Sequence, residues 1–411
     1  MRKPSTLSIA ASSSPYRVCH RKRKQNSSYP LGPFALLSLD LLLEILYRVT
    51  VKSLLILKCV CKPLNSIISD PKFAKDHLRL SQTCHYHLVA CPVRNYLEPE
   101  FLLYDYRLPS VQKQHSFFGI TTTTYILETM LRFPIDPLKS NVLVINSCNG
   151  LICFKTSYED SNSDLVVGNP STGKFKILPP LENLPSGKSA TDYNIGYDRF
   201  SDTYKVVAFT CYLFHKSDLF CKTQVRIYNS NTNFWKRIAD FPTKIMGKPD
   251  WYQGKFVSGT FNWVIPRDQD NDSSWVILSL DLGNESYEEI LLPNFGLDEP
   301  LENLNLGVFK DCLCILAHTK TFLDIWVMKD YGNKDSWNKF FNVSFEELGY
   351  IGGGFVRLVY ISEEDGEMFL EIEDDLYICN YKNCAAESGR FDHCPSMFFT
   401  SNVYTESLIS P

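Results

Sequence analysis

One sequence unit recurs along most of the chain and constrains the fold more than any other feature. Each copy has an extended apolar segment, a polar turn, and a second extended segment that carries an aromatic residue. This pattern is typical of a β-hairpin, because Asn, Asp, Gly and Ser between apolar runs favour a tight turn. The clear copies are residues 166–177, 225–238, 277–290 and 325–340, and weaker copies surround Tyr104-Asp105 and Cys379-Asn380.

The spacing of these turns predicts a propeller. The residues that enter the turns are Asp105, Asn169, Asn229, Asp281, Lys329 and Asn380, at successive intervals of 64, 60, 52, 48 and 51 residues. A period near 50 residues is that of kelch-type repeats, in which each unit buries its second face only against a neighbour. Segments between the hairpins, such as 204–209 and 313–316, also look like strands. We therefore predict an all-β, kelch-like propeller of about six blades. A β-sandwich is the alternative, but six units exceed what one sandwich normally holds.

Charge and cysteine content limit the partners and the compartment. The 411 residues include 42 basic and 46 acidic ones, and this near-neutral balance predicts binding neither to nucleic acid nor to a membrane. Many of the 14 cysteines lie in apolar runs, as Cys153, Cys211, Cys312 and Cys314 do, and no secretory signal precedes them. We expect reduced thiols in a protein of the cytoplasm, the nucleus or both.

The first part of the chain is basic. Residues 1–30 contain seven Lys or Arg residues and no acid, so we predict a disordered basic tail over 1–34. The run Arg21-Lys22-Arg23-Lys24 fits a nuclear import signal, a solvated tail or part of a transit peptide, and the sequence leaves these readings open.

A helical pattern begins at Leu37. Ser38 is a candidate N-cap, and apolar residues then recur at helical spacing through Val49. We predict a second helix over 51–57 and a third over about 59–68, which Asp70-Pro71 ends. Three helices this short cannot bury all their apolar surface among themselves, so the surplus should contact a partner.

Residues 37–46, 51–62 and 67–73 resemble an F-box, the motif that binds the Skp adaptor of cullin-based ubiquitin ligases. The resemblance assigns an F-box to 35–79 and implies an adaptor-facing set: Leu37, Ser38, Leu41, Ile45, Leu46, Leu54, Leu55, Lys58, Val60, Cys61 and Leu64. For Ile45 and Val60, packing between the helices is an equal alternative. Ser38, Thr50 and Leu64 depart from the usual Pro, Pro and Trp of the family, which predicts weaker adaptor binding.

The rest of the chain resembles the F-box-associated domain of plant F-box proteins, often labelled kelch-repeat type. Its signatures are residues 147–154, 168–174, 196–207 and 254–263, in that order, and the resemblance assigns this domain to 80–411. It implies the substrate-recognition subunit of a Skp–cullin–F-box ubiquitin ligase. The expected partners are a Skp-type adaptor, cullin through that adaptor, and a client protein that the sequence does not name.

No catalytic pattern stands out, and we expect neither an enzyme nor a cofactor. Cys84, His85, His87 and Cys91 match no common zinc spacing, so no metal is predicted. The acidic groups at 363–365 and 374–375 look like exposed turns. Two other functions stay open: a degenerate F-box protein that binds a client without a ligase, and a propeller enzyme. The longer loops 110–123, 157–164, 181–192 and 213–222 either contact the client or only connect strands.

Overall fold

Four short helices precede a β-propeller. The structure is a computed structural model that describes residues 37–80, 86–92, 103–107, 112–114, 122–124, 129–131, 141–157, 163–182, 188–213, 220–242, 245–246, 254–266, 275–296, 299–348, 356–362, 366–372, 375–382, 385–389 and 399–411. The predicted basic tail, 1–34, lies outside these residues. The helices are α1 Leu39–Leu46, α2 Val51–Leu57, α3 Lys62–Ile68 and α4 Pro71–Leu80. The structure divides into two units after Glu44, within α1.

Polar residues cap the first two helices. The Ser38 hydroxyl accepts a hydrogen bond from the Leu41 N–H at 3.3 Å, as predicted for an N-cap. The Thr50 hydroxyl accepts one from the Ser53 N–H at 3.4 Å, which starts α2. Each side chain therefore satisfies a backbone donor that the helix itself leaves unpaired.

The predicted start of the third helix was wrong, whereas its predicted end at residue 68 is confirmed. This helix begins at Lys62 rather than near residue 59, and Pro63 lies in its first turn. Pro71, expected to end the helical region, instead opens α4. A proline at the first helical position loses no intrahelical hydrogen bond, and its fixed φ suits a helix start.

α4 is fixed to the preceding helices through buried aromatic groups. His77 is fully buried, and its Nε2 lies 2.8 Å from the Val49 carbonyl oxygen. The Phe73 ring stacks on Tyr47 with a centroid distance of 5.2 Å. Burial of the His77 ring lowers its pKa, so the imidazole is held neutral.

Five blades each contain four successive antiparallel strands. Their strands are β6 Asn141–Cys148, β7 Leu151–Ser157, β8 Ser163–Asn169 and β9 Lys174–Ile177; β10 Lys188–Asp198, β11 Thr203–Leu213, β12 Phe220–Asn229 and β13 Phe234–Arg237; β15 Lys255–Val257, β16 Thr260–Pro266, β17 Trp275–Asp281 and β18 Tyr287–Ile290; β19 Asn303–Phe309, β20 Cys312–His318, β21 Phe322–Met328 and β22 Trp337–Ser344; β23 Val356–Ile361, β24 Glu367–Ile372, β25 Asp375–Asn380 and β26 Ala385–Gly389. A short strand, β14 Ile245–Met246, also pairs with β12.

The structure therefore has five blades that are each built from four successive strands, whereas about six blades were expected from the sequence. The remaining four-stranded sheet, which we call the mixed sheet, takes strands from both ends of the propeller, in the order β27-β1-β2-β5. Its strands are β27 Phe399–Thr405, β1 Tyr86–Pro92, β2 Leu103–Arg107 and β5 Thr129–Leu131, and β3 Gln112–Gln114 pairs separately with β4 Thr122–Thr124. The number of hairpin repeats in the sequence does not predict the mixed sheet, because a hairpin repeat does not show which distant strands pair.

Five of the six predicted hairpins are confirmed, but Asp105 lies within β2, paired with Val89 and Thr129, and not at a turn. A recurring side-chain contact shapes three of the confirmed turns. The side-chain oxygens of Asn169, Asn229 and Asp281 each accept a hydrogen bond from the backbone N–H two residues later, at 2.9, 2.9 and 2.7 Å. This geometry is an Asx turn. Lys329 has no acceptor to offer, and its turn instead has a 3₁₀ segment capped by Asn333.

The core lies between neighbouring blades. On β20, Leu313 and Ile315 pack towards the blade of β15–β18, whereas Cys314 and Leu316 pack towards the blade of β23–β26. Alternate residues of a strand point to opposite faces, so a strand between two blades is apolar throughout. This explains the continuous apolar run of β20. Of the predicted buried thiols, Cys153, Cys211 and Cys314 are buried and free, and Cys312 is partly buried.

The end of the described chain is held by one buried side chain. The Asn169 amide donates to the Ser407 carbonyl at 3.0 Å and to the Ile409 carbonyl at 2.7 Å. Gly150 has a φ of +82°, and a Cβ there would collide with the Ser407 hydroxyl. The segment after β27 is therefore fitted closely against the blade of β6–β9.

Replacing Asn169 with alanine should destabilise the propeller by roughly 3 kcal/mol, because two buried carbonyls lose their donor. Asn229→Ala is the matched control: it removes the same Asx turn at a partly exposed site and should cost about 1 kcal/mol or less. Urea unfolding of both variants measures the difference. An equal loss of unfolding free energy in the two variants would show that the Asn169 contacts to residues 407 and 409 do not contribute to stability.

Candidate adaptor-docking surface and propeller cavity

The helices present apolar side chains to solvent. Ile45 is 45% exposed, Ile56 64% and Val60 62%, and Leu41 on the first part of α1 is also exposed. Such exposure over so short a stretch of chain is typical of a surface that contacts a partner. Sequence analysis did not select Ile56, because helical periodicity alone does not show which apolar face stays uncovered.

The structure separates the predicted adaptor-facing residues into three groups. Ser38, Leu41, Ile45 and Val60 are exposed, and Leu37, Leu55, Lys58 and Cys61 are half-buried. Leu46, Leu54 and Leu64 are buried and form part of the core of the helical region. The exposure of Ile45 and Val60 argues against the alternative that they only pack the helices together. Adaptor contact by the whole set stays a prediction.

α4 is attached to the propeller by a charged contact. Lys75 Nζ lies 2.5 Å from Asp202 Oδ1 and 5.7 Å from the centroid of the Tyr197 ring. The Tyr197 hydroxyl donates to the same carboxylate. The hydrogen bond from Lys75, followed by that from Tyr197, lowers the pKa of Asp202. Burial, followed by this hydrogen bond, raises the pKa of Tyr197 to about 12.

The turn that carries Asp202 is itself braced. Asp198 and Lys205 form a buried ion pair at 2.9 Å, and Lys205 also donates to the Leu282 carbonyl of the next blade at 2.6 Å. The Asp198 carboxylate accepts the Phe200 N–H at 2.9 Å, which closes the turn. Sequence signature 196–207 thus positions the carboxylate that α4 contacts.

The coupling between Lys75 and Asp202 should be modest, because both side chains are partly exposed. A double-mutant cycle with Lys75→Met and Asp202→Asn should give a coupling energy of about 0.5–1 kcal/mol in urea unfolding. Lys75→Met combined with Asp240→Asn, whose partner is Arg237, should give none within error. An equal coupling in both cycles would mean that the contact is not specific.

α4 lies at one end of the propeller, which we call the near end. Inner strands β6, β10, β15, β19, β23 and β27 neighbour one another around the ring. Their C-terminal ends line one cavity, and the β10–β11 turn at that end contacts α4. Because the strands of a blade are antiparallel, β7 and β11 end, and β10 begins, at the opposite, far end.

The proposed client loops therefore do not share one end. Predicted loops 157–164, 181–192 and 213–222 begin at the far end, although their central residues lie outside those the structure describes. The fourth, 110–123, follows β2 at the near end and includes parts of the β3–β4 pair. Only the described ends of the first three lie at the end opposite α4.

The cavity at the near end has a volume of about 1190 Å³. Lys75, Asp76, Leu78 and Arg79 of α4 contribute to its wall, as do Tyr86 and Tyr360, whose rings are 5.0 Å apart. Lys255 on β15 also lines it. Burial, followed by the charge of Arg357, lowers the pKa of Lys255 to about 8.

The lowered pKa makes Lys255 a source of instability near neutral pH. Between pH 8 and 10.5 the unfolded chain binds more protons at this residue, so its contribution to stability rises with pH. Lys255→Met should therefore raise the unfolding temperature at pH 7 by a few degrees, with the gain vanishing above pH 10.5. Lys329→Met, at an exposed turn, should show no such pH-dependent difference in thermal unfolding. A gain in unfolding temperature that does not change with pH would contradict the lowered pKa of Lys255.

Among the described residues, no three His, Cys, Asp or Glu side chains are arranged to hold a metal ion. Cys84 and His85 of the cluster considered in the sequence lie outside those residues, and His87 pairs with Glu406 at 3.4 Å. The acidic residues 363–365 and Asp374 also fall outside them. No helix in the described part of the chain is long and apolar enough to cross a membrane.

Comparison with known proteins agrees with both parts of the fold. Residues 34–76 match the F-box domain, and residues 101–410 match the F-box associated beta propeller domain. The chain belongs to the F-box-associated propeller family. Within this family, the short helices α1–α4 correspond to the F-box region and the blades to the associated domain.

Several relatives from Arabidopsis thaliana cover nearly the whole chain. F-box/kelch-repeat protein At3g23880 is 27% identical over 401 residues, which is 91% of this chain and 96% of the relative. F-box protein CPR1 is 26% identical over 396 residues, which is 91% of this chain and 89% of the relative. Both names contain the F-box, and the first also names kelch repeats.

Solved structures are similar only at a distance. An α-L-arabinofuranosidase from Fusarium graminearum aligns with a TM-score of 0.42 and 8% identity, covering 61% of this chain and 79% of the enzyme. An α-L-arabinanase from Penicillium chrysogenum gives 0.40 and 11%, covering 62% and 81%. These values are too low to say anything about activity.

Proposed function

We propose that this protein is the substrate-recognition subunit of a Skp–cullin–F-box ubiquitin ligase. The F-box docks on a Skp-type adaptor, and through it on cullin, while the propeller holds a client protein. The observation that supports this most directly is the exposed apolar surface of Ile45, Ile56 and Val60 within the matched F-box. We assign the F-box to 35–79, the propeller domain to 80–411 and a basic tail to 1–34.

The two ends of the propeller suit a protein that docks on an adaptor and also binds a client. α4 occupies the near end through Asp202, which leaves the far end, where β7 and β11 end and β10 begins, for a client. The protein would carry out no covalent step. By holding the client within the complex, it would raise the effective concentration of client lysines near the conjugating enzyme. We place this function in the cytoplasm, the nucleus or both.

We also propose that the mixed sheet acts as a sixth blade. Its inner strand, β27, lies between inner strands β6 and β23. The Ser147 hydroxyl donates to the Val403 carbonyl at 2.6 Å, and the Asn402 amide donates to the Val144 carbonyl at 3.2 Å. These bonds join the mixed sheet to its neighbour in the way that inner strands of successive blades meet.

The departures from the usual F-box pattern have structural roles here. Ser38 and Thr50 are helix caps, and Leu64 is 2% exposed within the helical core. None of the three removes the exposed surface of Ile45, Ile56 and Val60. This favours an F-box that still binds its adaptor over a degenerate one. Leu64→Trp would overpack a buried site, so it is a poor test of adaptor contact.

The decisive experiment measures binding of the purified full chain to a plant Skp adaptor by calorimetry. Ile45→Asp should weaken binding about 30-fold or more, because a charge would replace an apolar contact. Val60→Asp should act in the same direction. Ile177→Asp is the matched control, since Ile177 is 55% exposed on β9 of the propeller, and it should leave the affinity unchanged.

Two outcomes would reject the ligase role. One is that the wild-type chain does not bind the adaptor at micromolar concentrations, which would leave a binding propeller that works without a ligase. The other is that Ile45→Asp and Ile177→Asp bind equally well, which would place adaptor contact elsewhere.

A further inference from the structure

The wall of the near-end cavity carries an unbalanced positive charge around Lys255. This side chain is half-buried and faces a cavity of about 1190 Å³. Arg357, on the inner strand two blades further on, is buried and acts on Lys255 as a second positive charge. The carboxylate that acts on both is that of Glu371, which is already paired with Arg357.

Two other cations of the wall are in ion pairs. Lys75 is paired with Asp202, and Arg79 is paired with Asp76 at 3.1 Å. Among the ion pairs of the described residues, none includes Lys255. Keeping a charge partly out of water without a counterion is unfavourable, and a bound anion would remove that penalty.

The rest of the wall limits what the anion can be. Tyr86, Tyr360, Phe256 and Phe309 supply aromatic surface to the cavity. A pocket that combines aromatic surface with a partly buried positive charge is suited to an organic molecule with an acidic group, and the volume is that of a ligand site. A bare inorganic ion would leave the aromatic surface uncovered.

We propose that the near-end cavity binds a small organic anion, with a carboxylate or phosphate group held by Lys255 and a ring or chain packed on the aromatic wall. The site is separate from the adaptor-docking surface and from the far-end client surface. Because α4 contributes to the cavity wall, the ligand would contact both the F-box region and the propeller.

The test uses three probes with the same ring: phenyl phosphate, benzoate and the neutral benzyl alcohol. Calorimetry on the full chain should show binding of at least one of the two anions with a Kd below about 1 mM, and weaker binding of the alcohol. Comparing the two anions shows whether phosphate or carboxylate is preferred. Lys255→Met should weaken anion binding at least about tenfold, whereas Lys329→Met should not change it.

A second measurement on the wild-type chain does not depend on the variant's folding. Competitive labelling with acetic anhydride, read by mass spectrometry, should give Lys255 a half-labelling pH near 8. The bound anion favours the protonated amine, so saturating probe should move that pH upward and slow the labelling. Labelling of Lys329 should be unaffected.

Three results would overturn the proposal: neither anion binding below about 10 mM, benzyl alcohol binding as tightly as the anions, or labelling of Lys255 unchanged by a probe that binds. Each of these is independent of adaptor binding, which is measured on a different surface. The cavity proposal and the ligase proposal can therefore fail separately.

Discussion

Antiparallel pairing between β27 and β1 joins the end of the propeller to its beginning, and the rest of the ring depends on it. The register runs without a break from Tyr86 opposite Thr405 to Pro92 opposite Phe399. Each blade buries its two faces against two neighbours, so an open ring would leave one face of two blades in water. Asn169 adds a second closure by holding residues 407 and 409 against the blade of β6–β9.

Closure of the ring also explains where α4 lies. β27 ends, and β1 begins, at the near end of the ring, because Thr405 and Tyr86 are opposite each other and both line the cavity. The chain that enters β1 from α4 must therefore arrive at this end. The contact between Lys75 and Asp202 then holds α4 there. The position of α4 at the near end therefore follows from the strand topology, and the ion pair between Lys75 and Asp202 stabilises it.

Local features of the fold could be predicted from the sequence, and long-range ones could not. The caps at Ser38 and Thr50 and the turns at Asn169 and Asn229 depend on neighbours within three residues, so they appear in the sequence. Pairing of β27 with β1 joins residues more than 300 positions apart, and no local pattern marks it.

The same limit applies to the candidate sites. The F-box residues could be selected by matching positions, but their exposure depends on how four helices pack, which buries Leu64 and leaves Ile56 in solvent. The positive charge at Lys255 depends on Arg357 and Glu371, about a hundred residues later in the chain. Neither residue type nor spacing signals a site of that kind.

The mixed sheet has a consequence for how the protein is made. β1 leaves the ribosome early, but its pairing partner β27 is synthesised after every other described strand. Until then the edge of β1 that later pairs with β27 has no partner within its own sheet, and an unpaired strand edge can join another chain. A premature stop codon that removes only the last few dozen codons would delete β27. Such a product would keep the five blades of successive strands but would expose the edge of β1. It would therefore aggregate or be degraded and would not retain partial activity.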